Sequence, residues 1–98
     1  MPQVKWLPAA LLDLERLHDF LKDKSPEAAA KAAAAILAGS TMLQDLPELG
    51  RPMPDETGRR ELFIPFAAGA YVLRYKRDNT AVIILRVWHS LEIRTDQH

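Results

Sequence analysis

Cysteine is absent from this 98-residue chain, which excludes a disulfide framework and any cysteine-based zinc site and is compatible with a reducing compartment. Net charge is absent too. Thirteen basic and thirteen acidic side chains cancel, so the molecule as a whole has no electrostatic reason to seek nucleic acid or an anionic membrane. No window approaches the ~20 uninterrupted apolar residues of a membrane span, and residues 1–6 lack the basic segment and apolar run of a secretion signal. A cytoplasmic protein without a membrane partner is expected. The three histidines, His18, His89 and His98, are scattered at spacings that suit no metal, and neither metal nor cofactor is expected.

What is present is a balanced globular composition, 48% apolar and 27% charged, in a length that fits one domain spanning residues 1–98. Residues 4–7 form a short apolar segment read as a strand, and Pro8 is well placed as the first residue of a helix. Over residues 8–24, Leu11, Leu14, Leu17 and Leu21 recur at three- and four-residue spacing, with Asp13, Glu15, Arg16 and Asp19 among the polar positions between them. That pattern predicts an amphipathic helix. Ser25-Pro26-Glu27 then supplies an N-cap, a proline at the first helical position and an acid in the first turn, so a second helix starts there. Its alanine-rich stretch, residues 28–38, suits close packing against the first helix, and Pro47 ends it.

Residues 47–58 are dense in proline and glycine and read as a connection in which Arg51 is a candidate to pin the loop to a backbone carbonyl. Three β-type segments follow at residues 59–66, 70–76 and 80–88, predicting an antiparallel meander. A three-residue loop at Arg77-Asp78-Asn79, with Asn79 in the left-handed region, would pair Lys76 with Thr80. Tyr71, Leu73 and Tyr75 would then share a dry face with Leu85, Ile83 and Ala81, and the helix pair would cover it. The opposite face would carry Arg74, Arg86 and Trp88. Between Arg59 and Arg94 seven basic residues face three acids, whereas the first fifty residues carry five bases and seven acids. The sheet half is the basic half.

The order and spacing of Trp6, Ala10 and Asp13-Leu14, then Leu46-Pro47, Gly50-Arg51, Gly58-Arg59-Arg60-Glu61-Leu62, Tyr71-Val72-Leu73-Arg74-Tyr75 and Ile84-Leu85-Arg86-Val87-Trp88-His89 resemble the RelE/ParE toxin superfamily. The match runs over nearly the whole chain and is most similar to ParE-type plasmid stabilisation proteins. The resemblance implies an α+β fold, with a short N-terminal strand, a helical hairpin and a three-stranded antiparallel meander. It also implies a toxin neutralised by a cognate ParD-like antitoxin, in a toxin–antitoxin hetero-oligomer.

Two activities follow from the resemblance, beside a third reading as an inactive member that retains only antitoxin binding. The ParE branch poisons DNA gyrase by binding; the RelE branch cuts messenger RNA on the ribosome, which needs a base, an acid and cations for the phosphate. Val72 stands where the ribonucleases carry an arginine, no lysine occurs in residues 59–66, and no aromatic follows His89. Gyrase is therefore the expected target, with Arg86, Trp88 and His89 as target-binding candidates. Only His89, Arg74 and Arg86 could make a ribonuclease set, and His89 reads more readily as a strand-end hydrogen-bonding residue. Leu11, Leu14, Leu17 and Leu21, shared between core and an outer groove, and Arg59, Arg60 and Glu61 are the antitoxin-binding candidates. Those last three read alternatively as charges that protect a sheet edge.

Overall fold

The computed structural model describes residues 3–92. Arg94 and His98, counted above, lie outside them. Strand β1 (Gln3–Trp6) leads into helix α1 (Pro8–Lys22) and helix α2 (Pro26–Asp45), followed by strands β2 (Arg51–Pro52), β3 (Arg59–Phe66), β4 (Gly69–Asp78) and β5 (Ala81–His89). The α+β architecture is the expected one. The sheet is larger than the meander alone: it has five strands in the order β1-β5-β4-β3-β2. β1 adds in parallel to the outer edge of β5, and β2 pairs antiparallel with β3.

The local signals act as the sequence implied. Ser25 accepts the Ala28 N–H through its hydroxyl at 3.1 Å and so caps α2. The small residues let α2 lie close to its neighbours: Ala29, Ala32 and Gly39 are buried beside Ile36 and Leu43. A Cβ at Gly39 would sit 2.4 Å from Ile64 Cδ1 on β3, so glycine sets the closeness of α2 to the sheet. Ala10 and Leu17 of α1 complete the core with Tyr71, Leu73, Tyr75, Val82, Ile84 and Val87, and Val4 and Trp6 of β1 pack against it.

The hairpin register differs from expectation. The β4–β5 turn is two residues, Asn79-Thr80, closed by the pair Asp78 and Ala81, with Asn79 at φ 55°. Tyr75 faces Ile84, while Arg74 faces Arg86, so a bulge leaves Leu85 as the extra residue in β5. The core residues of β5 are accordingly Val82, Ile84 and Val87 instead of Ala81, Ile83 and Leu85. Tyr71, Leu73 and Tyr75 do line the dry face. Nearly every residue of β5 is apolar, so alternation could not reveal either the offset or the bulge.

The proline-rich connection is fastened from the sheet. The buried Tyr75 hydroxyl donates to the Pro47 carbonyl at 2.9 Å and accepts the Gly50 N–H at 2.8 Å. Arg60, not Arg51, holds the loop's carbonyls: its Nη1 donates to Gly50 O at 2.7 Å and Glu48 O at 3.2 Å. Arg51 instead lies over the Phe63 ring, 5.1 Å from its centroid.

Beyond Glu61 no strand among the described residues covers the outer edge of β3. The Arg59 carbonyl accepts from Met53 on that side, so by alternation Phe63 and Pro65 also turn their backbone polar groups outward. Proline has no N–H to offer. Replacing Tyr75 by Phe strands the Gly50 N–H and Pro47 carbonyl and should lower stability by about 1–3 kcal/mol; the midpoint of urea unfolding measures it.

Candidate functional site

Two neighbouring regions gather the residues that the sequence singled out. The first is the outer edge of β5. β1 ends at Trp6, opposite Ile84, so the next outward N–H of β5 has no strand to receive it. Asp13 takes its place. Its Oδ2 accepts the Val87 N–H at 2.8 Å and Arg86 Nε at 2.8 Å, and its Oδ1 accepts Arg86 Nη2 at 3.0 Å and Arg16 Nη2 at 3.3 Å. The sequence pattern placed Asp13 on the polar side of α1; it is 3% exposed. Burial works to raise its pKa, but the hydrogen bonds from Arg86 and the Val87 N–H, with the Arg86 charge, outweigh that and hold it below the ordinary carboxylate value.

The second region is an open cavity of about 680 Å³ between the C-terminal half of α1, the β3–β4 turn and the end of β5, lined by Leu17, Phe20, Leu21, Phe66, Tyr71 and His89 among others. His89 forms part of its wall. The Leu91 N–H donates to His89 Nδ1 at 3.3 Å, which assigns the ring proton to Nε2, donating to the Phe66 carbonyl at 3.1 Å. The ring also meets Tyr71 edge-on at 5.0 Å. Burial, and then the Glu92 carboxylate, push the Tyr71 hydroxyl above its usual pKa. Glu92 accepts the His89 N–H at 2.8 Å and pairs with Arg16, which ties the end of β5 to α1.

Arg74 and Arg86 are cross-strand neighbours but hold different partners. Arg74 donates to Glu61 Oε2 from Nε at 3.0 Å and Nη2 at 2.8 Å, is 6% exposed, and lies over the Trp88 ring at 4.9 Å. Arg86 turns to Asp13. His89 lies on β5 opposite Tyr71 and faces the cavity. The Arg74–Glu61 pair had no signal in one-dimensional spacing. It follows from register alone, since Glu61 faces Arg74 across β3 and β4.

The antitoxin candidates divide likewise. Leu17 is 5% exposed, Leu14 and Leu21 pack against the core from its margin, and Leu11 is 51% exposed. Arg59 pairs with Asp55 at 2.9 Å, Arg60 holds the loop, and Glu61 holds Arg74, so each has an internal partner. β2 pairs with β3 at Arg60 and Glu61, so these two do not stand on an open sheet edge. The Thr57 hydroxyl, with Arg59, lowers the Asp55 pKa to about 2. Among the described residues no group of three or more His, Cys, Asp or Glu side chains could hold a metal, and no helix is long and apolar enough to cross a membrane.

Comparison with known proteins gives the class of this helical hairpin on a five-stranded sheet. Residues 4–94 match the family model described as the ParE toxin of the type II toxin–antitoxin system parDE. The chain belongs to this ParE family and is a type II toxin–antitoxin toxin of the ParE/RelE group. It is 38% identical over 94 residues to toxin RelE3 of Caulobacter vibrioides, covering 96% of this chain and 100% of that one. With toxin RelE1 of the same organism it shares 38% over 82 residues, 84% and 86% of the two chains. A chain of the chromosomal ParDE system from P. aeruginosa superposes with a TM-score of 0.76 at 26% identity, covering 91% of this chain and 96% of its own. One from the toxin–antitoxin complex RelBE2 of Mycobacterium tuberculosis gives 0.63 at 27%, covering 91% and 99%.

Asp13→Ala should cost about 2–4 kcal/mol, because it leaves the Val87 N–H and Arg86 without their acceptor. The folded pKa of Asp13 is lowered, so its contribution is present above the unfolded carboxylate value near 4 and is lost as pH falls through the folded value. Urea titrations from pH 7 down to about 2 should show the wild-type advantage over Asp13→Ala shrinking as pH falls below about 4.

Proposed function

We propose that this toxin arrests growth by binding DNA gyrase, without cutting RNA, and that a ParD-like antitoxin neutralises it in a toxin–antitoxin hetero-oligomer. The observation that carries the reading is the occupation of the candidate catalytic groups. Arg74 is bonded to Glu61, Arg86 to Asp13, and both ring nitrogens of His89 to backbone groups. General acid–base cleavage needs such groups aimed at a substrate, and here they serve the fold. Target contact then falls to surface chemistry around Trp88 and His89.

The antitoxin reading rests on α1. Leu11 is half-exposed beside Leu14 and Leu21, which suits an amphipathic helix laid along the hairpin, with Leu17 left to the core. A cytoplasmic site of action is part of the same proposal.

A second reading, ribosome-dependent cleavage of messenger RNA, is favoured by one observation: relatives 38% identical to this chain are named RelE toxins. Induction of this chain alone in bacteria separates the two. Gyrase binding predicts filamentation and a DNA-damage response with intact messages; prompt arrest of translation with cleaved messages would overturn it. Coexpression with the adjacent gene product should restore growth and yield a stable complex.

A further inference from the structure

We propose that the helix-free face of the sheet, along the row Phe63, Val72 and Trp88 with Arg51 at its side, docks an acidic, apolar-anchored segment of the toxin's protein target. The proposal rests on the reading that the toxin acts by binding a protein, and it names the surface.

The register defines the face. Phe63 pairs with Val72, and Val72 with Trp88, so the three side chains stand in one row across β3, β4 and β5. Two residues along each of β3 and β4, Arg51, Glu61 and Arg74 form the adjoining row on the same side. Neither helix packs here, since the hairpin covers Leu62, Ile64, Leu73 and Tyr75 on the opposite side. Strand spacing puts Phe63 and Trp88 about 10 Å apart. Val72, between them, is only 3% exposed, while Phe63 is 44% exposed. The result is a shallow apolar ridge with one prominent ring.

The charges on this face select the partner. Arg74 is neutralised by Glu61, Arg59 by Asp55 and Arg86 by Asp13. Arg51 and Lys76 have no ion pair among the described residues, and both lie on this side by register, Lys76 opposite Arg59. A polyanion draws its affinity from many phosphate contacts, and two available cations fall short of that. Two separated cations flanking an apolar ridge instead suit a polypeptide whose anchoring side chain sits on Phe63 and whose flanking carboxylates reach Arg51 and Lys76.

The test uses the purified full chain and intact gyrase holoenzyme, with Arg51→Glu and Phe63→Ser as separate variants. Both positions are exposed, and β3 is anchored by Arg60 and Glu61, so each variant should fold; an unchanged thermal midpoint and an unchanged complex with the antitoxin verify that. Each should weaken gyrase binding at least tenfold and reduce growth arrest in parallel, with Arg51→Lys restoring most of it. Equal binding by wild type and both variants would overturn the inference and leave the reading intact. Failure of the wild type to bind gyrase would overturn the reading, and the inference with it. Tight binding of a single-stranded RNA 20-mer by the wild type, lost in Arg51→Glu, would assign the face to nucleic acid and refute the proposal.

Discussion

The carboxylate of Asp13 joins the two halves of this molecule. A four-residue first strand is too short to run the length of β5, and where it stops a buried β5 N–H would be left without an acceptor. Asp13, offered from the first turns of α1, fills that position and simultaneously binds Arg86 and Arg16. Burying a carboxylate is expensive unless its lone pairs are occupied; here the backbone and two guanidiniums occupy them. The helix is thereby fixed against the strand in translation as well as rotation. Arg16 carries the linkage on to Glu92, which closes the turn after His89.

This arrangement explains why the arginines of the sheet read poorly as a reactive set. In a protein of balanced charge, each cation that enters a packed environment must meet an anion, and the sheet arginines meet theirs from three different elements: α1, the loop before β3, and β3 itself. The basic surplus of the sheet half is real in sequence but largely spent inside the fold. What remains outward is sparse, and its placement around the Phe63 ridge matters more than its amount.

Much of the architecture was legible in the chain. Ser25-Pro26-Glu27, Pro8, Pro47 and the three β-type segments marked element boundaries to within two residues, because caps and prolines act locally. The register of β5 was not legible, since a run from Ala81 to Val87 with a single charge contains no alternation to read, and a bulge changes the parity midway. Asp13 was misplaced for a related reason: helical periodicity sorts residues by polarity, and a buried acid defeats that sorting. His89 was correctly placed at the end of the last strand. Its neighbours were not foreseeable, because the cavity wall is assembled from α1 and the β3–β4 turn, distant in sequence.

Pro65 has a consequence that concerns copies of the molecule and not its own folding. On the margin of β3 that no described strand covers, the outward groups are the N–H and carbonyl of Phe63 and the carbonyl of Pro65. An incoming strand meets one donor where a complete ladder would present two, so successive chains gain too little from stacking there to propagate a fibre. The flank of β3 that no described residue covers thus resists endless repetition of itself.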